Sequence, residues 1–271
     1  MTKAWGDVLT DYSSYLVAAG RARKTRRLRK YYARCFADFT RRSPTRVTID
    51  DLSDYLAANP HWAPATRHVA QVSLRDLFGW MHRTGRRRDN PAALLPRVRV
   101  PAGVPRPCPD EAIIATMTNV GARELLMLRL GSEAGLRREE IATTRGDKVY
   151  QAIGGYVLSV TGKGGRTREV PIGDDLAEAI TARGSGWTFP GRTDGHLCAA
   201  RVGALMSELL PGRWTAHTLR HRFGTVTYAA DHDIRAVQEL LGHASVATTQ
   251  IYTAVPDDAK RRAAQAASLA A

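Results

Sequence analysis

The chain is poor in the features that fix a protein's class at once. Cysteine occurs only three times in 271 residues, at Cys35, Cys108 and Cys198, and never in a CxxC spacing. A disulfide framework needs a dense, even set, and a structural zinc site needs clustered ligands. Neither is expected, and the thiols read as reduced. No apolar run is long enough to cross a bilayer as a helix. The opening residues, Met1-Thr2-Lys3-Ala4-Trp5-Gly6-Asp7, reach an acid before any apolar stretch. They do not resemble a signal peptide, so the chain is expected in the cytoplasm of a bacterial cell, close to its nucleoid, with no membrane partner. Phosphate-cradling GxxxxGK[ST] is missing. His217 and His221 stand four apart, as zinc ligands on a helix do, but Thr218 holds the place where a zincin has Glu. No metal and no cofactor are expected.

What is present is positive charge. Lys and Arg number 40 against 26 Asp and Glu, a formal net charge of +14. Only six of the 40 bases are Lys, so nucleotide bias alone could inflate the count. The distribution argues otherwise. Residues 1–90 hold 18 bases and 8 acids (+10), whereas residues 91–271 hold 22 and 18 (+4). Charge gathered on one part of the chain is an electrostatic footprint for a polyanion. The 44% hydrophobic fraction is ample for a packed core, so disorder of the whole is excluded.

Six of the 13 prolines fall within residues 91–109. Proline fixes φ and removes a donor, so this stretch reads as an extended linker over residues 91–108. It would join a helical domain at 1–90 to a second domain at 109–271. Before it, the periodicity predicts four helices. The first runs from Trp5 through Val17 and stops near Gly20. The second, Thr25–Phe39, should bury Leu28, Tyr31, Tyr32, Cys35, Phe36 and Phe39. The third opens with Thr48 as N-cap and reaches Ala58, and the fourth runs from Pro64 to just before Gly85. Arg21, Arg23, Lys24, Arg26, Arg27, Arg29 and Lys30 crowd the entrance of the second helix, and Arg83, Arg86, Arg87 and Arg88 close the domain. A solvated face explains many such runs. Two in one small helical domain point to contact with a DNA backbone.

After the linker, Asp110–Ala134 reads as two helices and Arg137–Thr144 as a third. Three short strands follow at Val149–Ile153, Tyr156–Thr161 and Arg168–Ile172, with turn signals at Gly154-Gly155 and Gly162–Gly165. Helices return at Asp174–Ala182, Ala199–Leu209, His217–Ala230 and Ile234–Leu241. The expected fold is mainly α with a small antiparallel sheet.

Three features carry chemistry. Gly135-Leu136-Arg137-Arg138-Glu139-Glu140 puts Arg137 near a helix start, where anions are favoured. Thr161-Gly162-Lys163-Gly164-Gly165 sets a lysine on a hairpin tip. His217-Thr218-Leu219-Arg220-His221 is followed by Leu240-Leu241-Gly242-His243 and Tyr252. Each alone has a plain explanation: an arginine three residues before Glu140 is placed to be its ion-pair partner, and a lysine on an exposed turn is ordinarily only solvated. Together they form a donor set for a phosphodiester. Arginine forks match phosphate oxygens and stay charged, a tyrosine hydroxyl can attack phosphorus, and a lysine or histidine can protonate the departing oxygen.

The segment from His217 to Val255, HTLRHRFGTVTYAADHDIRAVQELLGHASVATTQIYTAV, resembles the catalytic half of the tyrosine recombinase (phage integrase) family, closest in texture to Xer-type and short phage integrases. The pattern HxLRHxF…LLGH…TxxxY is met in order and spacing. GLRREEI is similar to the family's first arginine box, VTGKGGRTREVPI to its lysine-bearing hairpin, and residues 5–90 to its helical, SAM-like core-binding domain. Glu133-Ala134 stands where relatives often have a Thr before GLR, a difference expected to affect packing.

The resemblance implies the following roles. Tyr252 is the nucleophile that holds the 3′ end. Arg137 and Arg220 clamp the nonbridging oxygens. Lys163 protonates the 5′-oxygen, His217 assists proton transfer, and His243 donates to the phosphate. Glu140 supports the arginine site, and Arg168 touches DNA or steadies the hairpin. It further implies double-stranded DNA core sites as partner, a monomer when free, and a homotetramer on DNA exchanging strands through a Holliday junction. The tail after Tyr252 is expected to be a short helix docking on a neighbour. The core-binding pattern starts within the first ten residues, so an arm-site-binding domain is not expected. Integration or excision of a phage or mobile element is the first reading. The alternative is Xer-like resolution of chromosome or plasmid dimers.

Overall fold

The computed structural model describes residues 2–101, 103–162, 164–243 and 249. The chain divides into two compact units, residues 1–102 and 103–271. The tail after Tyr252 lies outside the described residues.

The first unit is four helices: α1 (Lys3–Ala18), α2 (Arg23–Phe39), α3 (Ile49–Ala57) and α4 (Pro64–Arg83). Local chemistry sets their starts. Thr48 caps α3 reciprocally: its Oγ1 accepts the Asp51 N–H at 3.3 Å, and the Asp51 carboxylate accepts the Thr48 N–H at 2.8 Å. Pro64 opens α4 at a position whose N–H has no intrahelical partner in any case. The core joins Trp5, Tyr12 and Leu16 of α1, Phe36 of α2 and Leu52 of α3 to Leu74, Leu77, Phe78 and Met81 of α4. Phe36 meets Trp5 and Phe78 edge to face, each at 5.9 Å.

Two expectations are corrected here. On α2 the buried side chains are Tyr32, Ala33, Phe36 and Ala37, while Leu28, Tyr31 and Phe39 are exposed. Small alanines take the inward positions and let α2 lie close against α4. The proline-rich stretch is not extended throughout. Pro91–Leu94 form a 3₁₀ turn whose Pro91 and Ala92 are buried, as is Leu95. Arg75 donates to the Ala92 and Leu95 carbonyls, and Gln71 to that of Pro96. Proline at the start of a tight turn costs no donor, so this part of the stretch folds onto the first unit.

In the second unit α5 (Asp110–Met117), α6 (Ala122–Ser132) and α7 (Arg138–Ala142) precede β1 (Val149–Ala152), β2 (Gly155–Thr161) and β3 (Thr167–Ile172). The sheet is antiparallel in the order β1-β2-β3, with Leu158 opposite Val149 on one side and Val170 on the other. Then come α8 (Asp174–Thr181), β4 (Pro190–Thr193), α9 (Ala199–Leu209), α10 (Ala216–Asp231) and α11 (Ile234–Leu241). Strand β4, absent from the sequence expectation, bridges to His196 and not to the sheet. The core gathers Leu126–Leu128 and Leu130 of α6, Leu158 and Val170 of the sheet, Met206 of α9 and Leu219 of α10. Arg222 of α10 clamps Asp110, at the start of α5, through two bonds of 2.8 and 2.9 Å. Among the described residues no helix is long and apolar enough to cross a membrane.

Candidate active site

A glycine makes the turn on which the site is built. Gly135 has φ +62, and a Cβ there would lie 2.4 Å from the Phe223 ring. The reversal places Arg137 at the N-cap of α7 and Glu140 one turn in. The Glu140 carboxylate accepts the Arg137 N–H at 2.8 Å and the Arg137 Nη1–H at 2.8 Å.

Glu140 is only 4% exposed, and two further arginines reach it. Arg168 of β3 approaches fork to fork, Nη1 to Oε1 and Nη2 to Oε2 at 2.9 Å each. Arg220 of α10 brings Nη1 to 3.7 Å of Oε2 and donates to the Gly135 carbonyl at 2.5 Å. Burial by itself would raise the Glu140 pKa. The hydrogen bonds and charge of Arg168, with the backbone N–H and charge of Arg137, outweigh burial and bring it down to about 2. Three guanidinium groups against one carboxylate leave a surplus of two positive charges (3 − 1), fixed before any ligand arrives. A cluster of that charge suits an anion whose negative charge grows during reaction.

The same arginines grip the end of α11. Arg168 Nε donates to the Leu240 carbonyl at 2.7 Å, Arg220 Nη2 to that of Leu241 at 2.5 Å, and Arg137 Nη2 reaches that of Gly242 at 3.5 Å. Helix C-termini carry unpaired carbonyls and partial negative charge, so cations are favoured there. Gly242 ends the helix in the left-handed region, φ +60. The His243 N–H then turns back to the Gln238 carbonyl at 3.1 Å.

Three histidines surround this cluster. His217 lies in the first turn of α10, which Thr215 and Thr218 cap, and its ring is 4.2 Å from that of His221. Partial burial, then the charges of Arg220 and Arg137, lower the His217 pKa, although the residue keeps an exposed face. His243 shares a hydrogen bond between Nδ1 and Thr249 Oγ1 at 2.9 Å. Burial, then Arg220 and Arg137, push its pKa down to about 4. His221, the last residue of the His217–His221 motif, is buried behind His217 and is also held at about 4, first by burial and then by His217 and Arg220. All three imidazoles are therefore neutral at neutral pH.

The structure thus brings together Arg137, Glu140, Arg168, His217, Arg220 and His243. Arg137 keeps a third of its side chain exposed, whereas Arg220 is 2% exposed and stands behind it. Lys163 and Tyr252 lie outside the described residues. Around Lys163 the hairpin closes through the Gly162 N–H on the Arg166 carbonyl at 2.8 Å, and Gly164 and Gly165 have φ +81 and +76.

In the first unit the expected DNA-contacting bases separate. Arg21, Arg23, Lys24, Arg27, Lys30, Arg86 and Arg88 are exposed. Arg26 and Arg29 are half-buried, and Arg29 bonds Ser73 at 3.3 Å and pairs with Asp76 at 3.6 Å. Arg86 pairs with Asp11 at 3.0 Å and lies 4.5 Å over the Trp80 ring. Arg87 is not a surface base at all. It is buried, donating to the Pro44 carbonyl at 2.6 Å, the Val47 carbonyl at 2.9 Å and the Asp89 carboxylate. Arg87 thereby ties the loop before α3 to the segment after α4. A groove of about 630 Å³ between α1 and α2 is lined by Thr10, Ser13, Arg27, Lys30, Tyr31 and Arg34. Arg34 was missed in the sequence because it lies apart from the run ending at Lys30.

A small antiparallel sheet among helices thus carries three arginines gathered on one buried carboxylate. The phage integrase family profile matches residues 110–258, and the chain belongs to this family. It is 36% identical over 196 residues to the tyrosine recombinase XerC of Xylella fastidiosa strain M23, covering 66% of this chain and 66% of that protein. The match thus spans just under two thirds of that relative's own length. Against XerC of Mesorhizobium japonicum the identity is 33% over 230 residues, covering 76% and 73%. The fold is shared with a lambda integrase dimer bound to a COC′ core site (TM-score 0.74, 17% identity, 91% of this chain and 76% of that one). It is shared also with the XerH site-specific recombinase bound to difH substrate (TM-score 0.66, 21% identity, 87% and 76%).

Proposed function

We propose that the chain is a site-specific DNA recombinase that cleaves and rejoins duplex DNA through a 3′-phosphotyrosine intermediate. The observation that carries this reading is the Arg137–Arg168–Arg220 cluster around buried Glu140, with its surplus positive charge and neutral His217 and His243 alongside. Phosphoryl transfer needs positioning and charge stabilisation, and that is what such a cluster supplies.

In this reading the Tyr252 hydroxyl attacks the scissile phosphorus, and His217 takes its proton. Arg137 and Arg220 hold the nonbridging oxygens, and His243 donates to one of them. The phosphorus–5′-oxygen bond breaks as Lys163 protonates the leaving oxygen. A 5′-hydroxyl from a partner strand then reverses the step and frees Tyr252. The phosphotyrosine keeps the energy of the broken bond, so rejoining needs no nucleotide. The exposed bases of α2 grip the duplex backbone. The chain is a monomer in solution and a homotetramer on paired core sites, exchanging strands through a Holliday junction.

Integration or excision of a phage or mobile element is the biological role proposed. The alternative reading, Xer-like resolution of chromosome or plasmid dimers, fits the same cluster. To test the enzymatic reading, the protein is mixed with nicked duplexes of randomised core sequence, and detergent-stable protein–DNA adducts are recovered and sequenced. Wild type should enrich one core sequence and Arg137→Ala should not. Failure of wild type to form any adduct, or equal capture by Arg137→Ala, contradicts the reading. The recovered site, placed twice in a supercoiled plasmid, should yield recombinants; relaxation without recombinants would instead mark a topoisomerase.

A further inference from the structure

Arg168 closes on two parts of the fold at once. Its two Nη atoms lie on the Glu140 carboxylate at 2.9 Å each, and its Nε donates to the Leu240 carbonyl at 2.7 Å. All three nitrogens of the guanidinium are thereby turned to protein acceptors, and the side chain is 11% exposed. The carbonyls of Leu241 and Gly242 are taken by Arg220 and Arg137, so three successive carbonyls before His243 are each met by a different arginine. Gly242 is shaped to the same contact. A Cβ there would lie 2.9 Å from Arg168 Cδ and 3.2 Å from its Nη1. The glycine both permits the left-handed helix end and leaves the space that Arg168 fills.

We propose that Arg168 is a positioning residue: it locks the C-terminal cap of α11 to strand β3 and to Glu140, and so sets where His243 stands relative to Arg137 and Arg220. The proposal rests on reading the pocket as a phosphodiester site. His243 is the next residue after the cap, and its N–H bonds back into α11 at Gln238. Among the described residues, the charged and titratable groups that act on its ring are Arg220 and His221 from α10, Arg137 at the start of α7, and Arg168 from β3. Arg168 is the only one of these that also holds the last turn of α11 to the sheet. Side chains that orient a reacting group matter through geometry, since a displacement of about 1 Å can cost on the order of 100-fold in rate.

Two variants test this, Arg168→Gln and Gly242→Ala. The first removes the fork and its charge. The second keeps every arginine and crowds the contact, which covers the case in which losing the Arg168 fork leaves the buried Glu140 carboxylate too few hydrogen-bond donors for the chain to fold. Three quantities are measured: affinity for core-site DNA, single-turnover cleavage of a nicked duplex at saturating DNA, and the His243 ring titration followed by NMR on the free protein. Both variants should cleave on the order of 100-fold more slowly with DNA affinity unchanged. The His243 midpoint should rise in Arg168→Gln, and the His243 resonances should move in Gly242→Ala. Loss of affinity with an unchanged saturated rate would make Arg168 a DNA contact and overturn the proposal. So would His243 signals identical to wild type. The NMR arm needs no recombinase activity, so a wild-type protein that never cleaves would sink the functional reading while the geometric one is still decided.

Discussion

Arg168 and Glu140, 28 positions apart, form a two-pronged ion pair with both oxygen–nitrogen distances at 2.9 Å, and the carboxylate is nearly inaccessible to water. A buried carboxylate among three arginines is stable only as the anion, which offsets one of their three positive charges. Replacing it by its neutral isostere, Glu140→Gln, leaves three cations facing one another. Breaking a buried pair in this way costs about 3–5 kcal/mol. Chemical denaturation should show a loss of that order, and added sulfate or phosphate should restore part of it by binding the arginines.

The histidines give the stability a direction with pH. His221 and His243 sit at about 4 in the fold against 6.5 for an unperturbed histidine. The unfolded chain therefore binds more protons than the folded one between those values, so stability increases with pH across that window. The contribution is complete above pH 6.5 and is lost as pH falls toward 4. Glu140, held at about 2, adds a second loss below its ordinary value of 4.5. Urea midpoints measured from pH 7 down to 4 should fall, and the fall should be shallower in a His221→Gln, His243→Gln double variant.

Gly135→Ala should be among the most damaging single-methyl changes in the second unit. It forces a side chain into φ +62 and drives a Cβ to 2.4 Å of the Phe223 ring. Left-handed backbone costs about 1–2 kcal/mol and overpacking about 1–3 kcal/mol more. Thermal melts should show the loss, and Phe223→Ala in the same chain should recover the packing part alone.

The bases of the first unit should divide into two classes by salt dependence. Neutralising Arg27, Lys30 and Arg34, which share the α1–α2 groove, should weaken DNA binding and flatten the plot of log affinity against log salt. The slope should lose about 0.9 for each phosphate contact removed. Arg87→Ala should leave that slope unchanged and lower stability instead, because its donors are spent on Pro44, Val47 and Asp89.

Much of this was legible in the sequence, and the parts that were not have physical reasons. Helix starts are local, so Thr48 and Pro64 announce α3 and α4 without reference to the rest of the chain. Arg137 and Glu140 are three apart and pair on one turn. The Arg168–Glu140 fork joins a strand to a helix and has no local signature. The α11 carbonyls are backbone atoms, so no residue pattern marks them. The inner face of α2 was rotated in the reading because Tyr31 and Leu28 outweigh Ala33 and Ala37 on any hydrophobic count, whereas close helix packing selects the alanines. Arg87 was counted as surface charge because composition registers sign and not burial. Strand β4, Pro190–Thr193, shows no alternation of apolar and polar residues, so it gave no signal.

The most direct test of the account is covalent capture of DNA by Tyr252. A duplex bearing the core site and a nick just 3′ of the scissile phosphate traps the cleaved state, because the released fragment diffuses away. Wild-type protein should accumulate a detergent-stable adduct linked through a 3′-phosphotyrosine. Tyr252→Phe should bind the same DNA with equal affinity and form none. An adduct formed by Tyr252→Phe at the wild-type rate would contradict the account.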